Sequence, residues 1–204
     1  MNSRRTSRRA DGFSLVEVMV AVVIICVGLL GIAKMQALSL SSTSTSRQRA
    51  LAAMQAASIA SAMHSNREYW AGDFQLTGVN PSFSLAGTGT VTSTTDAATA
   101  TQAQNWLTAN NMTFCLGAVG TTAKCDDKQL AAFDLARWWR NGVVPILPGA
   151  TATIACNSPP VGNPAPISCT VVIGWNERAV ALNTQSALAG QTFETPTYTL
   201  YVEP

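Results

Sequence analysis

The sequence predicts an α+β protein in which a long N-terminal helix, transmembrane in its first part, packs on a small antiparallel β-sheet. The first observation is an apolar run over residues 13–33, in which Glu17 is the only charged side chain. The second is a return to good helix-forming residues over 47–67. The third is a period-two alternation of apolar side chains in three later segments, which is typical of half-buried strands.

The apolar run is long enough to cross a bilayer. Its 21 residues would rise about 30 Å as a helix. An ionisable group in such a run costs on the order of 2.5 kcal/mol or more at mid-membrane, so Glu17 indicates a function. Four arginines within residues 4–9 precede the run and predict that its start lies on the cytoplasmic side. A plain single-span anchor, with Glu17 near the membrane interface, is the alternative.

The residues around the start of the run indicate how it is processed. No A-x-A cleavage site follows the run, as it would in a secretory signal peptide, and the small residue Gly12 precedes it instead. In these residues the chain resembles the type IV pilin superfamily, in which a prepilin peptidase cuts between Gly and Phe and methylates the new amino terminus. The resemblance implies that Gly12 ends a leader peptide and that Phe13 is the N-methylated first mature residue. Asp11 stands where the family often has a basic residue, and we expect it to affect cutting efficiency at most.

The same resemblance makes Glu17 the carboxylate at position five of the mature chain. An unpaired carboxylate in lipid is destabilised. In a bundle of subunits it can instead meet the positively charged amino terminus of a neighbouring Phe13. Glu17 is therefore predicted to guide assembly.

Five segments are expected along the chain. The segments are a leader peptide (1–12), a transmembrane helix segment (13–34), the periplasmic half of the long helix (35–71), a connection with a short helix between 96 and 110 (72–114), and an antiparallel β head with a capped helix at 126–141 (115–204).

The Ser/Thr run 39–46 interrupts the good helix formers of the long helix. It is predicted either as a hinge or as helix in contact with water.

The cysteines favour an oxidising compartment. Cys26 lies in the apolar run, where it is predicted to be a packing residue, and the other four cysteines follow the long helix. Their spacing contains no C-x-x-C and no histidine lies near, so a zinc site is disfavoured. Four cysteines allow three pairings. We predict Cys115–Cys125 together with Cys156–Cys169, because each of these disulfides closes a short loop. Such loops contribute roughly 3 kcal/mol each in the chain-entropy model.

Strand phasing supports the second disulfide. Alternation in residues 151–156 and 167–175 places both cysteines on the buried faces of two strands joined by a Pro-rich loop. The side chains predicted to point inward are Ala152, Ile154, Cys156, Ile167, Cys169, Val171, Ile173 and Trp175, together with Tyr198, Leu200 and Val202 in a third strand at 197–202.

A helix is predicted to begin after Asp126, which serves as N-cap with Gln129 at the capping-box position. Asn141–Gly142 is predicted to end this helix. Ala131, Leu135 and Trp138 would be buried at helical spacing. Of the adjacent pair Trp138–Trp139, one is predicted to be core and the other a half-exposed cover, with a partner surface as the alternative.

Charge and motifs exclude most other classes. The formal charge is +2, but without the leader nine basic and ten acidic side chains remain, so no nucleic-acid binding is predicted. The one histidine, His64, is expected on a helix surface, and no nucleotide-binding, dinucleotide-binding or HExxH motif is present. The remaining carboxylates are scattered along the chain. Asp126 and Asp127 could bind calcium, but two adjacent carboxylates indicate a calcium site less strongly than they indicate a helix cap. We predict no enzyme activity, no cofactor and no metal site.

Further segments resemble one branch of the superfamily. Residues 27–36, 134–139, 147–150 and 174–177 look like those of PilV-type minor pilins, whereas 72–114 resemble nothing that we can name. The resemblance implies a low-abundance subunit of the Gram-negative inner membrane, single-pass with its head in the periplasm, that later enters the pilus filament at the cell surface. It would help to initiate pilus assembly and lie near the filament tip. Its implied partners are the prepilin peptidase, other minor pilins, the major pilin and a tip adhesin of the PilY family.

Two alternatives remain open. Minor pseudopilins of type II secretion systems share the leader, the Glu17 equivalent and the head architecture. A simple anchored periplasmic binding domain would be indicated if Phe13 were not the mature amino terminus.

Overall fold

A computed structural model describes residues 14–72, 80–108, 115, 125–157, 166–178 and 193–204. Gly12 and Phe13, on which the leader prediction depends, lie outside these residues. The chain divides into two compact units between Thr43 and Ser44. The first unit holds the apolar start of the long helix, and the second holds the rest of that helix with the β-sheet.

The long helix, α1, runs over Leu15–Ser65. It includes the Ser/Thr run, where the Thr43 hydroxyl donates a hydrogen bond of 2.9 Å to the carbonyl of Ser39 one turn earlier. This back-bonding satisfies a hydroxyl that would otherwise compete with the helix backbone. The run is therefore helical, and its role as a hinge stays a prediction.

Within the second unit, α1 buries one narrow stripe. Ala52, Ala56, Ile59 and Met63 are at most 1% exposed and recur at spacings of three and four residues. This periodicity places them on one helix face, which packs on the sheet as predicted. A π-helical turn, π1 (Glu68–Gly72), follows and buries the rings of Tyr69 and Trp70 in an edge-to-face contact.

The main sheet has five antiparallel strands in the order β2-β1-β3-β4-β7. A separate pair, β5 and β6, forms a small antiparallel ribbon. The strands are β1 (Ser82–Ala86), β2 (Thr90–Ser93), β3 (Thr151–Asn157), β4 (Ser168–Gly174), β5 (Glu177–Arg178), β6 (Phe193–Glu194) and β7 (Thr197–Val202).

The inward-facing side chains of the three later strands are confirmed. Those of β3 and β4, with Ile167 and Trp175 at the ends of β4, are at most 7% exposed. In β7, Val202 is buried and Tyr198 and Leu200 are half-buried on the same face. Every second residue of these strands therefore contributes to one core.

The prediction that residues 72–114 form a connection between the long helix and the sheet is wrong for two segments, β1 and β2. These residues contain the short helix α2 (Ala97–Thr108) as predicted, but β1 and β2 are strands of the main sheet beside β3. Phe83, Leu85 and Val91 face the core here, separated by Ser, Thr and Ala. Strands this short and rich in hydroxyl residues carry too few apolar positions to display their period, so tertiary pairing decides.

The capped helix begins as predicted and ends differently. At the start of α3 (Asp127–Arg137) the Asp126 carboxylate accepts from the Gln129 backbone N–H at 2.7 Å, and the Gln129 Oε1 accepts from the Asp126 backbone N–H. Gly142 does not end it, because α3 passes directly into a second π-helical turn, π2 (Trp138–Val143).

This π turn also corrects the prediction for the tryptophan pair. Trp138 and Trp139 are 6% and 0% exposed, so neither is a half-exposed cover. A π turn takes more residues than an α turn, which lets two adjacent rings face the interior. Their indole N–H groups donate to the carbonyls of Gln55 at 2.9 Å and Gly87 at 3.0 Å, so the burial leaves neither group unsatisfied.

Two disulfides join Cys115 to Cys125 and Cys156 to Cys169, the pairs that close short loops. Cys156 and Cys169 are direct partners in the register of β3 and β4. Cys26 is a free, exposed thiol in α1.

Candidate functional site

Glu177, at the start of β5, is a buried carboxylate with three donors. Its side chain is 6% exposed and accepts from the indole N–H of Trp175 at 3.1 Å. The guanidinium of Arg49, on α1, donates to its two oxygens at 3.4 and 3.3 Å. Arg49 itself is 61% exposed, so the pair closes the core from the solvent side. Its role is structural, because Arg49 balances its charge and the Trp175 indole N–H adds a further hydrogen bond.

Asp96 is the N-cap of α2. It accepts from the Thr99 N–H at 3.1 Å, the Thr99 hydroxyl at 2.7 Å and the Tyr69 hydroxyl at 2.9 Å. Burial by itself would raise the pKa of Asp96, but these hydrogen bonds outweigh it and hold the pKa below its ordinary value. Burial, followed by the charge of Asp96, raises the pKa of Tyr69. The pair fastens α2 to π1.

Asp134 differs from these two carboxylates because its side chain accepts no hydrogen bond from the described residues. It lies half-buried on α3, where burial raises its pKa to about 6, against a smaller lowering by Arg137. Helical spacing could have indicated this position, since Asp134 shares a face with Ala131 and Trp138, which are buried. For Glu177 the signal is the strand alternation of Ile173 and Trp175, which continues to residue 177.

His64 is exposed on α1, as expected, and is no part of a catalytic arrangement in the described residues. No group of three or more His, Cys, Asp or Glu side chains within those residues is placed to hold a metal ion. Asp126 uses its carboxylate as a helix cap. Within the described part of the head, Asp96, Asp126 and Glu177 are therefore structural carboxylates, whereas Asp134 is half-buried and accepts no hydrogen bond.

The first turn of α1 carries Glu17. The backbone there closes with a bond of 3.2 Å from the Val18 N–H to the Ser14 carbonyl, and Glu17 is exposed. The first N–H groups of a helix lack partners within it and carry partial positive charge, so a carboxylate is favoured in this turn. Such a group remains available to a partner outside the chain.

The first unit has an apolar surface. Over its most apolar 18 residues the mean hydropathy of α1 is 2.9, and none of these residues is buried. By length and composition, α1 is the one described helix that could span a membrane. Its large apolar side chains are exposed, for example 75% for Leu15 and 72% for Leu30. Together they form a contiguous apolar patch of a kind that monomeric soluble proteins rarely expose. Such a surface is typical of a segment that lipid or other apolar helices cover.

A model of the prokaryotic N-terminal methylation motif matches residues 7–33. This range includes Gly12, Phe13 and Glu17 and covers the end of the basic start and the whole apolar run. No curated protein and no solved structure matches the chain. The motif and the exposed apolar helix together suggest anchoring in a bacterial envelope membrane. The chain thus carries the N-terminal methylation motif of prokaryotic prepilin-like proteins, the class of type IV pilins and pseudopilins.

Proposed function

We propose that this protein is a minor pilin that helps to initiate type IV pilus assembly and becomes a low-abundance subunit near the filament tip. The observation that carries the proposal is the methylation motif, which runs directly into an exposed apolar helix with a single carboxylate, Glu17. The motif implies processing by a prepilin peptidase.

Processing would remove residues 1–12 and leave a methylated, positively charged amino group on Phe13. Residue 17 follows residue 13 by four positions, which is one helical turn. Each mature subunit would then present a cation and a carboxylate at the same end of its helix. Two such ends can pair reciprocally between neighbours, which gives assembly a defined axial register.

The membrane supplies the driving force for this pairing. A carboxylate held in lipid costs about 2.5–3.5 kcal/mol at mid-membrane. Pairing of Glu17 with the amino terminus of a neighbouring subunit removes part of this cost, so a packed bundle is favoured over a lone helix. The two disulfides support a periplasmic head, because such bonds persist in oxidising compartments.

The minor-pilin assignment rests on the resemblance of residues 27–36, 134–139, 147–150 and 174–177 to PilV-type subunits. In the proposed role, the partners are other minor pilins, the major pilin and a tip adhesin of the PilY family. The protein would be a trace component of sheared filaments and would have no enzymatic role.

A deletion strain tests the proposal. Surface pili are counted with and without a second mutation that disables pilus retraction. We expect pili to be lost in the single deletion and restored when retraction is blocked, as for a subunit that primes assembly. Normal pili together with secreted proteins trapped in the periplasm would refute the proposal and identify a minor pseudopilin.

Glu17→Ala tests the assembly role. We expect normal leader cleavage, measured by the mass of the N-terminal peptide, but about tenfold less variant in sheared filaments, as the loss of about 1.4 kcal/mol of pairing energy would give. The matched control is Glu68→Ala, which removes an exposed carboxylate from π1 and should leave both measurements unchanged. Wild-type incorporation of the Glu17→Ala chain would show that this carboxylate does not guide docking.

A further inference from the structure

A polar cleft of about 400 Å³ opens on the head between α1 and the α3–π2 segment. Gln55 and Ser58 line it from α1, and Asp134, Trp138 and Asn141 line it from the other side. The Trp138 indole N–H donates to the Gln55 carbonyl at 2.9 Å and fixes the two walls to each other. The cleft is therefore a built feature of the second unit, with walls held by a buried hydrogen bond.

The Gln55 carboxamide lies directly over Gly142, where a Cβ atom would collide with its Oε1. A side chain at residue 142 would displace the flexible end of Gln55, so glycine leaves this carboxamide in the lining of the cleft. Gly142 lies inside π2, and Val144 closes that turn by donating to the Trp139 carbonyl at 3.0 Å. π-helical turns are frequent at functional sites.

Asp134 is the one carboxylate in the lining of this cleft. Within the described part of the chain it makes no hydrogen bond or ion pair, although it is half-buried. The lining residues of α1 are uncharged, and the only cation of the lining is Arg137, whose side chain is exposed. Burial of the carboxylate raises its pKa to about 6, so at neutral pH it is mostly ionised and its charge is poorly solvated.

We propose that this cleft binds the lysine side chain of a neighbouring subunit, with Asp134 as its counter-ion. An ammonium group has three donors and no acceptor, and the cleft offers it the Asp134 carboxylate, the Gln55 carboxamide and the Ser58 hydroxyl. The flexible four-carbon stem of lysine reaches such a recess while its methylene groups pack on Trp138. Only the source of the lysine, another subunit of the filament, rests on the proposed function.

A titration of the full chain in detergent micelles tests the cleft without reference to filaments. The probe is Nα-acetyl-lysine N-methylamide, compared with the uncharged norleucine analogue, and NMR follows the Trp138 indole N–H and the Gln55 side-chain amide. We expect the lysine probe alone to shift these signals saturably. Because protonation of Asp134 removes the counter-ion, the binding should weaken as the pH falls below about 6.

Three variants sharpen the titration. Asp134→Asn should weaken lysine binding by about tenfold or more, and Arg137→Gln should strengthen it because a competing cation is removed. Asp127→Asn is the matched control, since it removes a carboxylate from the same helix that does not line the cleft. Equal binding of both probes, or unchanged binding to the Asp134→Asn chain, would overturn the assignment.

A zero-length carbodiimide cross-link identifies the source of the lysine. Filaments that contain the chain are treated, digested and analysed for an isopeptide between Asp134 and a lysine of another subunit. This cross-link is the expected result, and its absence from filaments that do contain the chain overturns the inference while leaving the proposed function intact. A chain that never enters filaments refutes the proposed function and the subunit source, and the titration then decides the chemistry of the cleft alone.

Discussion

Replacing Arg49 by Met should destabilise the head by leaving Glu177 without its cationic partner. The two residues lie 128 positions apart, and the guanidinium contacts both oxygens of a carboxylate whose side chain is only 6% exposed. Methionine keeps most of the aliphatic packing of arginine. The substitution therefore removes the charge and its hydrogen bonds with little change in volume.

The magnitude follows from the exposure of the two partners. Pairs exposed to solvent contribute about 0.2–1 kcal/mol, whereas breaking a fully buried pair costs about 3–5 kcal/mol. Here Glu177 is buried but Arg49 is 61% exposed, so solvent screens one member of the pair. We expect the free energy of unfolding to fall by about 2 kcal/mol, or the melting temperature by about 4–8 °C.

The assay is denaturant unfolding of the full chain in detergent micelles, followed by near-ultraviolet circular dichroism of the buried tryptophans. Arg47→Met, an exposed arginine on the same helix, is the matched control and should stay within about 0.5 kcal/mol of wild type. Adding Glu177→Gln to Arg49→Met should restore about half of the loss, because the amide oxygen still accepts from Trp175 without a buried charge. The reasoning is refuted if Arg49→Met is as stable as its control, or if the double variant recovers nothing.

The remaining predictions concern Asp134, the β3–β4 disulfide and the cap of α3. Since the pKa of Asp134 rises from 3.8 to about 6 on folding, the folded state binds more protons between these values, and stability should increase as the pH falls from 7 towards 5. Asp134→Asn should flatten this rise and add about 1 kcal/mol at pH 7.5, after allowance for solvent screening, as measured by denaturant unfolding. Replacing both Cys156 and Cys169 by Ala should cost about 3 kcal/mol, whereas Cys26→Ser should leave the melting temperature of the head unchanged. Asp126→Ala should cost about 1 kcal/mol in the same assay, and an unchanged midpoint would mean that the capping box contributes nothing.

The parts of the fold that sequence predicted are those with a local cause. The capping box at Asp126 needs only residues three positions apart, and the inward faces of β3 and β4 need only alternation over a few residues. The disulfide pairing follows from the same strands, because Cys156 and Cys169 fall on matching faces. Local rules are therefore sufficient to predict these elements.

The parts that were missed depend on contacts distant in sequence. Nothing near Phe83 indicates that its short, hydroxyl-rich strand extends the sheet beside β3, since its partner Ile154 lies about seventy residues away. Val91 pairs with Leu85 of the adjacent strand, so its place in the sheet depends on that of β1. The π turn at Trp138 arises from docking against α1, which no local propensity encodes. The ionic partner of Glu177 was missed for the same reason, although strand alternation could have marked that carboxylate as buried.

The candidate site also has a part that local sequence predicts and a part that depends on contacts distant in sequence. The methylation motif and Glu17 are read from a contiguous stretch of sequence. The cleft around Asp134 needs α1, α3 and π2 together. Helical spacing places Asp134 towards the interior, but only the folded chain brings Gln55 and Ser58 opposite it.

Both disulfides join each cysteine to the next one along the chain, with sequence separations of 10 and 13 residues. A polypeptide that crosses a membrane in the order of its sequence exposes these thiols to the oxidant one after another. If the head is exported in this way, as proposed, Cys125 is the next cysteine that Cys115 meets, and both precede Cys156. The order in which the cysteines emerge would then favour these two pairs over the crossed ones.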